Sequence, residues 1–218
     1  CVRKMQAQLM HDALGIPTAL LKQEPRGVDE IFWQPLPIEE EPLIVAVGWE
    51  ERDYHTLLEA IQSIPAQVVL VIGAIAKPLQ GKGAEDVQST RAKLSSELPS
   101  HVQIQQLQPH DLRLLYARAS IVVIPVHPVE FDAGVTACTE AMAMGKAVIA
   151  SHTAALSDLF EHEVHGMFVP PKDVQALQNT ILQLLSNKEL RQSLGMRARL
   201  LIEKNHRLED CMMRLAQM

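Results

Sequence analysis

The sequence has few cysteines, few aromatic residues and no excess of positive charge. Its three cysteines, Cys1, Cys138 and Cys211, are widely spaced and odd in number, which argues against a disulfide framework or a CxxC metal site and favours a reducing, cytoplasmic location. Twenty basic against 26 acidic residues give a net charge of -6, so no nucleic-acid partner and no polybasic membrane patch is indicated. Any anionic ligand must be held by local groups.

Long apolar runs are also absent. No stretch approaches the roughly 18 residues of a membrane-spanning helix, and no leader resembles a signal peptide. The 218 residues, 47% of them hydrophobic, suffice for a globular domain with a sizeable core. Because the sequence opens at Cys1 in what reads as the middle of a helix, we expect a fragment of a longer protein.

From residue 43 onward, short β-branched runs alternate with helical stretches of roughly 10 to 15 residues. Most of these runs are almost continuously apolar, which is typical of parallel strands covered by helices on both faces. The sequence therefore predicts a doubly wound, Rossmann-like α/β sheet. The predicted strands are LIVAVG (43–48), QVVLVIG (67–73), VQIQQL (102–107), IVVIPV (121–126), AVIAS (147–151) and GMFVPP (166–171).

The first 42 residues do not follow this alternation. They predict an amphipathic helix, a short strand TALLK (18–22) and a proline-rich linker. We interpret residues 1–42 as the end of a preceding domain plus a linker, 43–204 as the α/β domain and 205–218 as a helical tail.

Two strand-to-helix turns carry the candidate chemistry, because ligands of open parallel sheets bind at the carboxyl ends of the strands. In the first turn, GWEERDY, Gly48 permits a tight exit and Arg52 is placed at a helix start suited to phosphate. The alternative is an arginine paired with the neighbouring acids Glu50, Glu51 or Asp53 on a solvated turn.

The second turn, HPVEFDAGVTACTEAMAMG, combines small residues with two acids. A helix beginning near Ala133 or Gly134 would point its first amides into the crevice. Glu140 lies on a largely apolar helix, where a carboxylate needs a partner such as a pair of ligand hydroxyls. The alternative is a contact with neighbouring backbone or with Lys146.

These residues carry a family resemblance. FDAGVTACTEAMAMGKAVIAS (131–151) followed by ALSDLFEHEVHGMFVPPKD (155–173) is similar to the signature of the retaining, nucleotide-sugar-dependent glycosyltransferases of the GT-B fold, group 1 or family 4. The match covers residues 43 to about 204, the carboxyl-terminal donor-binding domain of that fold, and GVDEIFWQP (27–35) resembles its interdomain linker. The resemblance implies that an amino-terminal acceptor domain completes the parent protein.

The resemblance also implies roles for individual residues around the second turn. Glu140 matches the family's second acid, which binds the ribose hydroxyls. Asp132, eight positions earlier, matches the acid that contacts the donor sugar and its reacting carbon, where the family usually has Glu; Glu130 is a spare acid nearby. The helix start that holds the donor phosphates corresponds to Ala133, Gly134 and Val135.

Other matched positions depart from the family pattern. Arg52 falls where the family places a lysine against the diphosphate, while Trp49 occupies the place of a second cation after Gly48. In the loop after the fifth strand, Ala154 and Ala155 replace a glycine pair whose amides approach the donor. The acid that follows that pair is Asp158 instead of Glu.

The function implied by the resemblance is transfer of a hexosyl group from a nucleoside diphosphate sugar, UDP- or GDP-linked, to an acceptor hydroxyl with retention of configuration. It implies no cofactor and no metal, and HEVH (162–165) is too short for the HExxH zinc motif. Polysaccharide or glycolipid synthesis is the expected setting, with peripheral membrane contact through the acceptor domain. The alternatives are a catalytically silent nucleotide-sugar-binding module and a nucleotide-sugar epimerase or sugar phosphorylase of the same fold.

Overall fold

A computed structural model describes residues 4–22, 24–73, 82–95 and 98–217. They contain a six-stranded sheet in the spatial order β3-β2-β1-β4-β5-β6, in which every neighbouring pair is parallel. This order confirms the predicted doubly wound sheet. The strands are β1 (Leu43–Val47), β2 (Gln67–Val71), β3 (Val102–Gln105), β4 (Ile121–Ile124), β5 (Ala147–Ser151) and β6 (Met167–Val169).

Helices follow the strands, and several begin where the sequence signals predict. Asp53 caps one helix by accepting a hydrogen bond from the Thr56 amide at 3.1 Å, and Pro109 opens another. The helices are α1 (Lys4–Leu14), α2 (Tyr54–Ala60), α3 (Lys82–Ser95), α4 (Pro109–Arg118), α5 (Val135–Ala143), α6 (Ala154–Ser157), α7 (Val174–Ser186), α8 (Lys188–Asn205) and α9 (Leu208–Ala216).

Two hydrophobic cores cover the two faces of the sheet. In β1, Val45 and Val47 pack into the core under α4, α5 and α8, whereas Ile44 and Ala46 pack into the core under α2, α3 and α7. Because successive side chains of a strand alternate between faces, burial on both faces requires an unbroken apolar run. This explains the strand pattern of the sequence.

The strand predicted at 18–22 is wrong. Thr18–Leu20 forms a 3₁₀ turn, closed by the Leu21 amide donating to the Thr18 carbonyl at 3.0 Å. Leu20 is 72% exposed and these residues belong to no strand pair of the sheet. An extended segment would leave its backbone groups unpaired there, whereas the turn satisfies one of them internally.

The linker packs on the α/β domain. Val28 and Trp33 are buried in the core that contains α5 and α8, and the guanidinium of Arg199 on α8 donates to the carbonyls of Glu30 and Trp33 at 2.9 and 3.0 Å. The predicted helical tail forms α9. The boundaries predicted at 42/43 and 204/205 remain predictions.

Candidate functional site

The strand order places a crevice between β1 and β4. The chain continues from β1 toward one edge of the sheet and from β4 toward the other, and the loops at such a switch point separate to leave room for a ligand. Here the two loops also hold each other, since the Asp53 amide donates to the Pro125 carbonyl at 2.9 Å and the His127 amide to the Glu51 carbonyl at 3.0 Å. The walls of the crevice are therefore fixed by backbone hydrogen bonds.

A cavity of about 220 Å³ occupies this crevice, and we call it the switch-point cavity. Both predicted turns contribute to it, so residues far apart in sequence lie around one space. The predicted site residues that line it are Gly48, Arg52, Asp132, Ala133, Gly134 and Glu140.

The first turn of α5 faces the cavity with backbone amides. Gly134 precedes the helix with a left-handed backbone (φ +84°) and has no side chain to cap it, and the first hydrogen bond of the helix runs from the Cys138 amide to the Gly134 carbonyl at 3.0 Å. The amides of the three residues between them, 135–137, come before that bond and carry the positive end of the helix dipole. An anion in the cavity would meet these donors.

Glycine is required at position 134. A side-chain carbon there would lie 2.8 Å from Cγ2 of Ile124 and 2.9 Å from Cγ2 of Val126, closer than carbon atoms pack, and φ is in the region that side chains disfavour. The glycine lets α5 begin directly against the end of β4. Val135, the next residue, is fully buried and is not among the residues that line the cavity.

Arg52 is the cationic side chain of the β1 loop. Its Nε donates to the Val47 carbonyl and its Nη1 to the Glu50 carbonyl, both at 2.8 Å, so the alternative of an arginine held by neighbouring carboxylates is not what the structure shows. The guanidinium lies over Gly48, where a side-chain carbon would overlap with Nη2. Burial lowers the pKa of Arg52, but the group stays charged at neutral pH. Two backbone carbonyls thus hold a cation at the cavity.

Glu140 projects from the second turn of α5 into the same cavity. Burial raises the pKa of its carboxyl to about 7, and the charge of Arg26 opposes this rise. The alternative contact with Lys146 is not formed, because the Lys146 ammonium donates to the Ala117 carbonyl at 2.8 Å and lies 3.5 Å from Glu40. A carboxyl in this position can accept hydrogen bonds from ligand hydroxyls when it is ionised.

The loop after β5 is placed differently from the two turns. Ala155 is buried within α6, and neither it nor Ala154 is among the residues that line the switch-point cavity. Asp158 lies at the end of α6 and borders a second cavity. The structure therefore does not bring these three predicted residues to the same space as Arg52 and Glu140, and their role toward a donor remains a prediction.

An apolar wall of the switch-point cavity was missed at the sequence level. Trp33 comes from the linker, Pro109 and Leu112 come from α4, and Trp49 follows Gly48. Trp33 packs edge-on against Tyr116 with ring centroids 5.8 Å apart. The signal in the sequence was the aromatic pair Phe32 and Trp33, in a chain with only 4% aromatic residues.

The second cavity has a volume of about 540 Å³ and lies between the linker, α6 and the end of α8. We call it the linker cavity. Its polar side chains include Arg26, Asp158, Lys204 and His206. Within the described part of the chain, no group of three or more His, Cys, Asp or Glu side chains is arranged to hold a metal ion, and no helix is long and apolar enough to span a bilayer.

Solved structures share this fold. Sucrose-phosphate synthase from Thermosynechococcus elongatus superposes with a TM-score of 0.79 at 24% identity, over 99% of this chain and 56% of that one. HepE from Anabaena in complex with UDP and glucose superposes with a TM-score of 0.76 at 19% identity, over 96% and 59%. This chain thus spans less than two thirds of either protein.

A third structure is itself a single domain. The C-terminal domain of a glycosyl transferase group 1 family protein from Francisella tularensis is covered completely by 84% of this chain, with a TM-score of 0.62 at 19% identity. Among curated proteins, no sequence matches the chain. The sequence model of the family described as glycosyl transferases group 1 matches residues 28–201, and the chain therefore belongs to the group 1 glycosyltransferases.

Proposed function

We propose that this chain is the donor-binding domain of a retaining glycosyltransferase that uses a nucleoside diphosphate hexose. One observation carries the proposal: Arg52, the amide-bearing first turn of α5 and the carboxyl of Glu140 line a single cavity at the switch point of the sheet. A nucleoside diphosphate needs donors for its phosphates and an acceptor for its ribose hydroxyls. The cavity offers both.

The proposed binding mode assigns each part of the donor to one group of the cavity. The diphosphate lies on the amides of residues 135–137 with the Arg52 guanidinium on its other side. The ribose hydroxyls donate to Glu140, and the apolar wall of Trp33, Pro109 and Leu112 accommodates the base. The sugar then extends toward Asp132, at the loop that precedes α5.

Transfer requires that negative charge leave with the diphosphate. The bond between the anomeric carbon and the phosphate oxygen breaks, the acceptor oxygen bonds to that carbon on the same face, and the acceptor hydroxyl passes its proton to the departing phosphate oxygen. Arg52 and the amides of α5 stabilise the departing diphosphate by fixed charge and dipoles, so the proposed reaction needs no resident cofactor. Asp132, at the sugar end, holds the donor sugar beside its reacting carbon.

Related structures support a UDP-linked donor, since the Anabaena HepE structures contain UDP, glucose and UDP-glucose. GDP-linked donors remain part of the proposal. The acceptor would bind to an amino-terminal domain of the parent protein, in the cytoplasm, with peripheral contact to a membrane through that domain when the acceptor is a lipid.

A calorimetric titration of the 218-residue chain with UDP, GDP and ADP tests the donor site. We expect saturable binding of one nucleotide, weakened about tenfold or more by Arg52→Ala and by Glu140→Ala, since each removes a charged partner of the ligand. Arg118→Ala is the matched control, because that arginine pairs with Glu41 at 2.7 Å at the amino ends of the strands. Absence of binding, or equal binding by all variants, would refute the donor site.

A second candidate is a nucleotide-sugar-binding module that does not turn over its ligand. Two observations favour it: Trp49 lines the cavity where a second cation would stand, and Asp132 is one methylene shorter than the expected Glu. The two candidates differ in donor turnover. Release of free nucleotide from the sugar donor by the parent protein, lost in Asp132→Ala, supports the enzyme, whereas binding without release supports the module. Mutarotation and phosphorolysis assays separate the epimerase and phosphorylase alternatives.

A further inference from the structure

Arg199 of α8 contacts three backbone carbonyls through one nitrogen. Its Nη1 lies 2.9 Å from the carbonyl oxygen of Glu30 and 3.0 Å from that of Trp33, both in the linker. The same nitrogen lies 2.8 Å from the carbonyl oxygen of Ala143, the last residue of α5. The guanidinium therefore connects α8, the linker and the carboxyl end of the helix whose first turn faces the switch-point cavity.

The three backbones meet closely at this junction. A side-chain carbon at Gly195 of α8 would overlap with the carbonyl oxygen of Gly145, so glycine is what allows α8 to approach the end of α5. On the linker side, a side-chain carbon at Gly145 would lie 3.4 Å from Cγ of Pro35. A cation at this place also interacts favourably with the carboxyl end of the α5 dipole. Arg199 thus completes a tightly packed contact between three elements.

Trp33 is fixed by this junction. Its amide donates to the Asp29 carbonyl at 2.8 Å, and its carbonyl accepts from Arg199. Its ring packs edge-on against the rings of Phe32 and Tyr116, with centroids 4.8 and 5.8 Å away. Only 7% of the residue is exposed, yet it lines the switch-point cavity. An aromatic surface held in this way loses little entropy when a ligand packs on it.

The linker acts on the cavity at a second point. Burial raises the pKa of the Glu140 carboxyl to about 7, and the charge of Arg26, a linker residue, opposes this rise. The linker therefore contributes to the surroundings of the proposed ribose partner as well as to the apolar wall. A nucleobase attached to that ribose can pack on an aromatic side chain of the wall, because every base has a flat π face.

We propose that Arg199 is a positioning residue of the donor site, which fixes the linker so that Trp33 packs against the nucleobase. This proposal rests on the proposed function, because the nucleobase belongs to the donor assigned to the switch-point cavity. Arg199 is not among the described residues that line this cavity, so it acts through Trp33 and not by touching the ligand. Loss of its contacts should weaken nucleotide binding at the base end.

Calorimetric titration of the 218-residue chain with whichever of UDP, GDP and ADP binds best tests the proposal. We expect Trp33→Leu and Arg199→Met each to weaken binding by about fivefold or more through loss of base packing. The double variant should bind no more weakly than Trp33→Leu alone, because the two residues act as one unit. Glu203→Gln is the matched control, since it removes only the 2.7 Å ion pair with Arg199, and it should bind like the wild type.

Tryptophan fluorescence reports the position of Trp33 directly. The chain has two tryptophans, and both line the cavity, so Trp49→Phe leaves Trp33 as the single emitter. In this background the nucleotide should change the emission of Trp33. Arg199→Met should shift the ligand-free emission to longer wavelength as Trp33 becomes more exposed, whereas Glu203→Gln should not. If Arg199→Met does not fold, Arg199→Lys replaces it, because lysine keeps the charge without the planar group.

The outcomes separate this proposal from the donor site. If nucleotide binding depends on Arg52 but ignores Trp33→Leu, or leaves the Trp33 emission unchanged, the positioning role is overturned and the donor site stands. Additive losses in the double variant also overturn it, because Arg199 would then only stabilise the fold. If none of the three nucleotides binds to the wild type, the donor site fails and the proposal fails with it, whatever the ligand-free emission shows.

Discussion

The two cavities on either side of α6 differ in the sign of their charge. Among the described residues that line the switch-point cavity, the Arg52 guanidinium faces the carboxyls of Glu50, Asp132 and Glu140. In the linker cavity, cationic side chains outnumber carboxyls. In the switch-point cavity, where carboxyls outnumber the one guanidinium, the proposed diphosphate therefore depends on the backbone amides at the start of α5 as well as on Arg52. Among the carboxyls of the switch-point cavity, Glu140 has a pKa raised to about 7 because it is buried.

Gly134→Ala should break the amide site with the largest effect. The new methyl group would meet Ile124 and Val126 at 2.8 and 2.9 Å, and a left-handed backbone adds strain. We therefore expect the free energy of unfolding to fall by about 3 kcal/mol. We also expect nucleotide binding to be lost. Urea denaturation and calorimetry measure the two losses. Gly15→Ala is the control, because Gly15 has φ +65° but no atom within 4 Å of the added carbon; an equal loss there would attribute the effect to strain alone.

Glu140→Gln should affect stability and nucleotide binding in opposite directions at high pH. The folded-state pKa of about 7 exceeds the ordinary 4.5, so the folded chain binds this proton more tightly than the unfolded chain does. Stability associated with the neutral carboxyl is therefore complete below pH 4.5, is lost as the pH rises to 7, and is constant above it. The shift corresponds to at most about 3 kcal/mol.

The measurement for Glu140 is the Tm of the wild type and of Glu140→Gln at pH 5 and pH 8.5. We expect the variant to gain stability relative to the wild type at pH 8.5 more than at pH 5, and to bind nucleotide more weakly, since the amide loses the ionised acceptor. Glu130→Gln, at an exposed carboxyl of the same loop, is the control. A variant that loses stability at pH 8.5 would show that Glu140 has a structural partner.

Arg52→Lys tests whether charge alone suffices at this position, because it keeps the positive charge and removes the planar guanidinium. The two hydrogen bonds from Arg52 to the carbonyls of Val47 and Glu50 require the planar group, so the ammonium would be less fixed and we expect nucleotide binding about tenfold weaker. Nucleotide affinity equal to that of the wild type would mean that Arg52 acts by charge alone.

Asp132→Asn should have the smallest effect on nucleotide affinity. Asp132 lies at the sugar end of the proposed donor, so UDP, which lacks the sugar, should bind within about twofold of the wild type. Turnover of the sugar donor by the parent protein should fall in the same variant. Titration with UDP measures the affinity, and an assay of nucleotide release measures the turnover. A large loss of UDP affinity would mean that Asp132 contacts the diphosphate instead of the sugar.

The sequence allowed the sheet to be predicted because parallel strands leave a local pattern. It also placed Arg52, Asp132 and Glu140 in two turns that line one cavity, although their roles toward a donor stay predictions. Burial of β1 on both faces leaves an unbroken apolar run, and the turn from Asp132 to Glu140 combines small residues with two acids in one short stretch. The strand predicted at 18–22 failed because an apolar run of this length fits a 3₁₀ turn equally well. A strand differs from such a turn in needing a neighbouring strand to pair with, and the sequence of residues 18–22 does not show whether one is present.

Other parts of the sites depend on long-range packing. Trp33 reaches the switch-point cavity because Arg199 of α8 holds its carbonyl, a contact across 166 positions that no local motif records. Ala154, Ala155 and Asp158 follow the family pattern, yet α6 directs Asp158 toward the linker cavity. That cavity combines the linker with α8, so its cations appear in the sequence as unrelated surface charges.

The most direct test of the account is amide chemical-shift mapping of the isotope-labelled chain during titration with the nucleotide that binds best. The account predicts that the largest shifts fall on residues 134–137 of α5, together with the Nε–H of Arg52, and that the amides of Arg26 and Lys204 change little. Largest shifts at the linker cavity, or saturable binding that leaves residues 134–137 unchanged, would contradict the claim that the first turn of α5 holds the diphosphate.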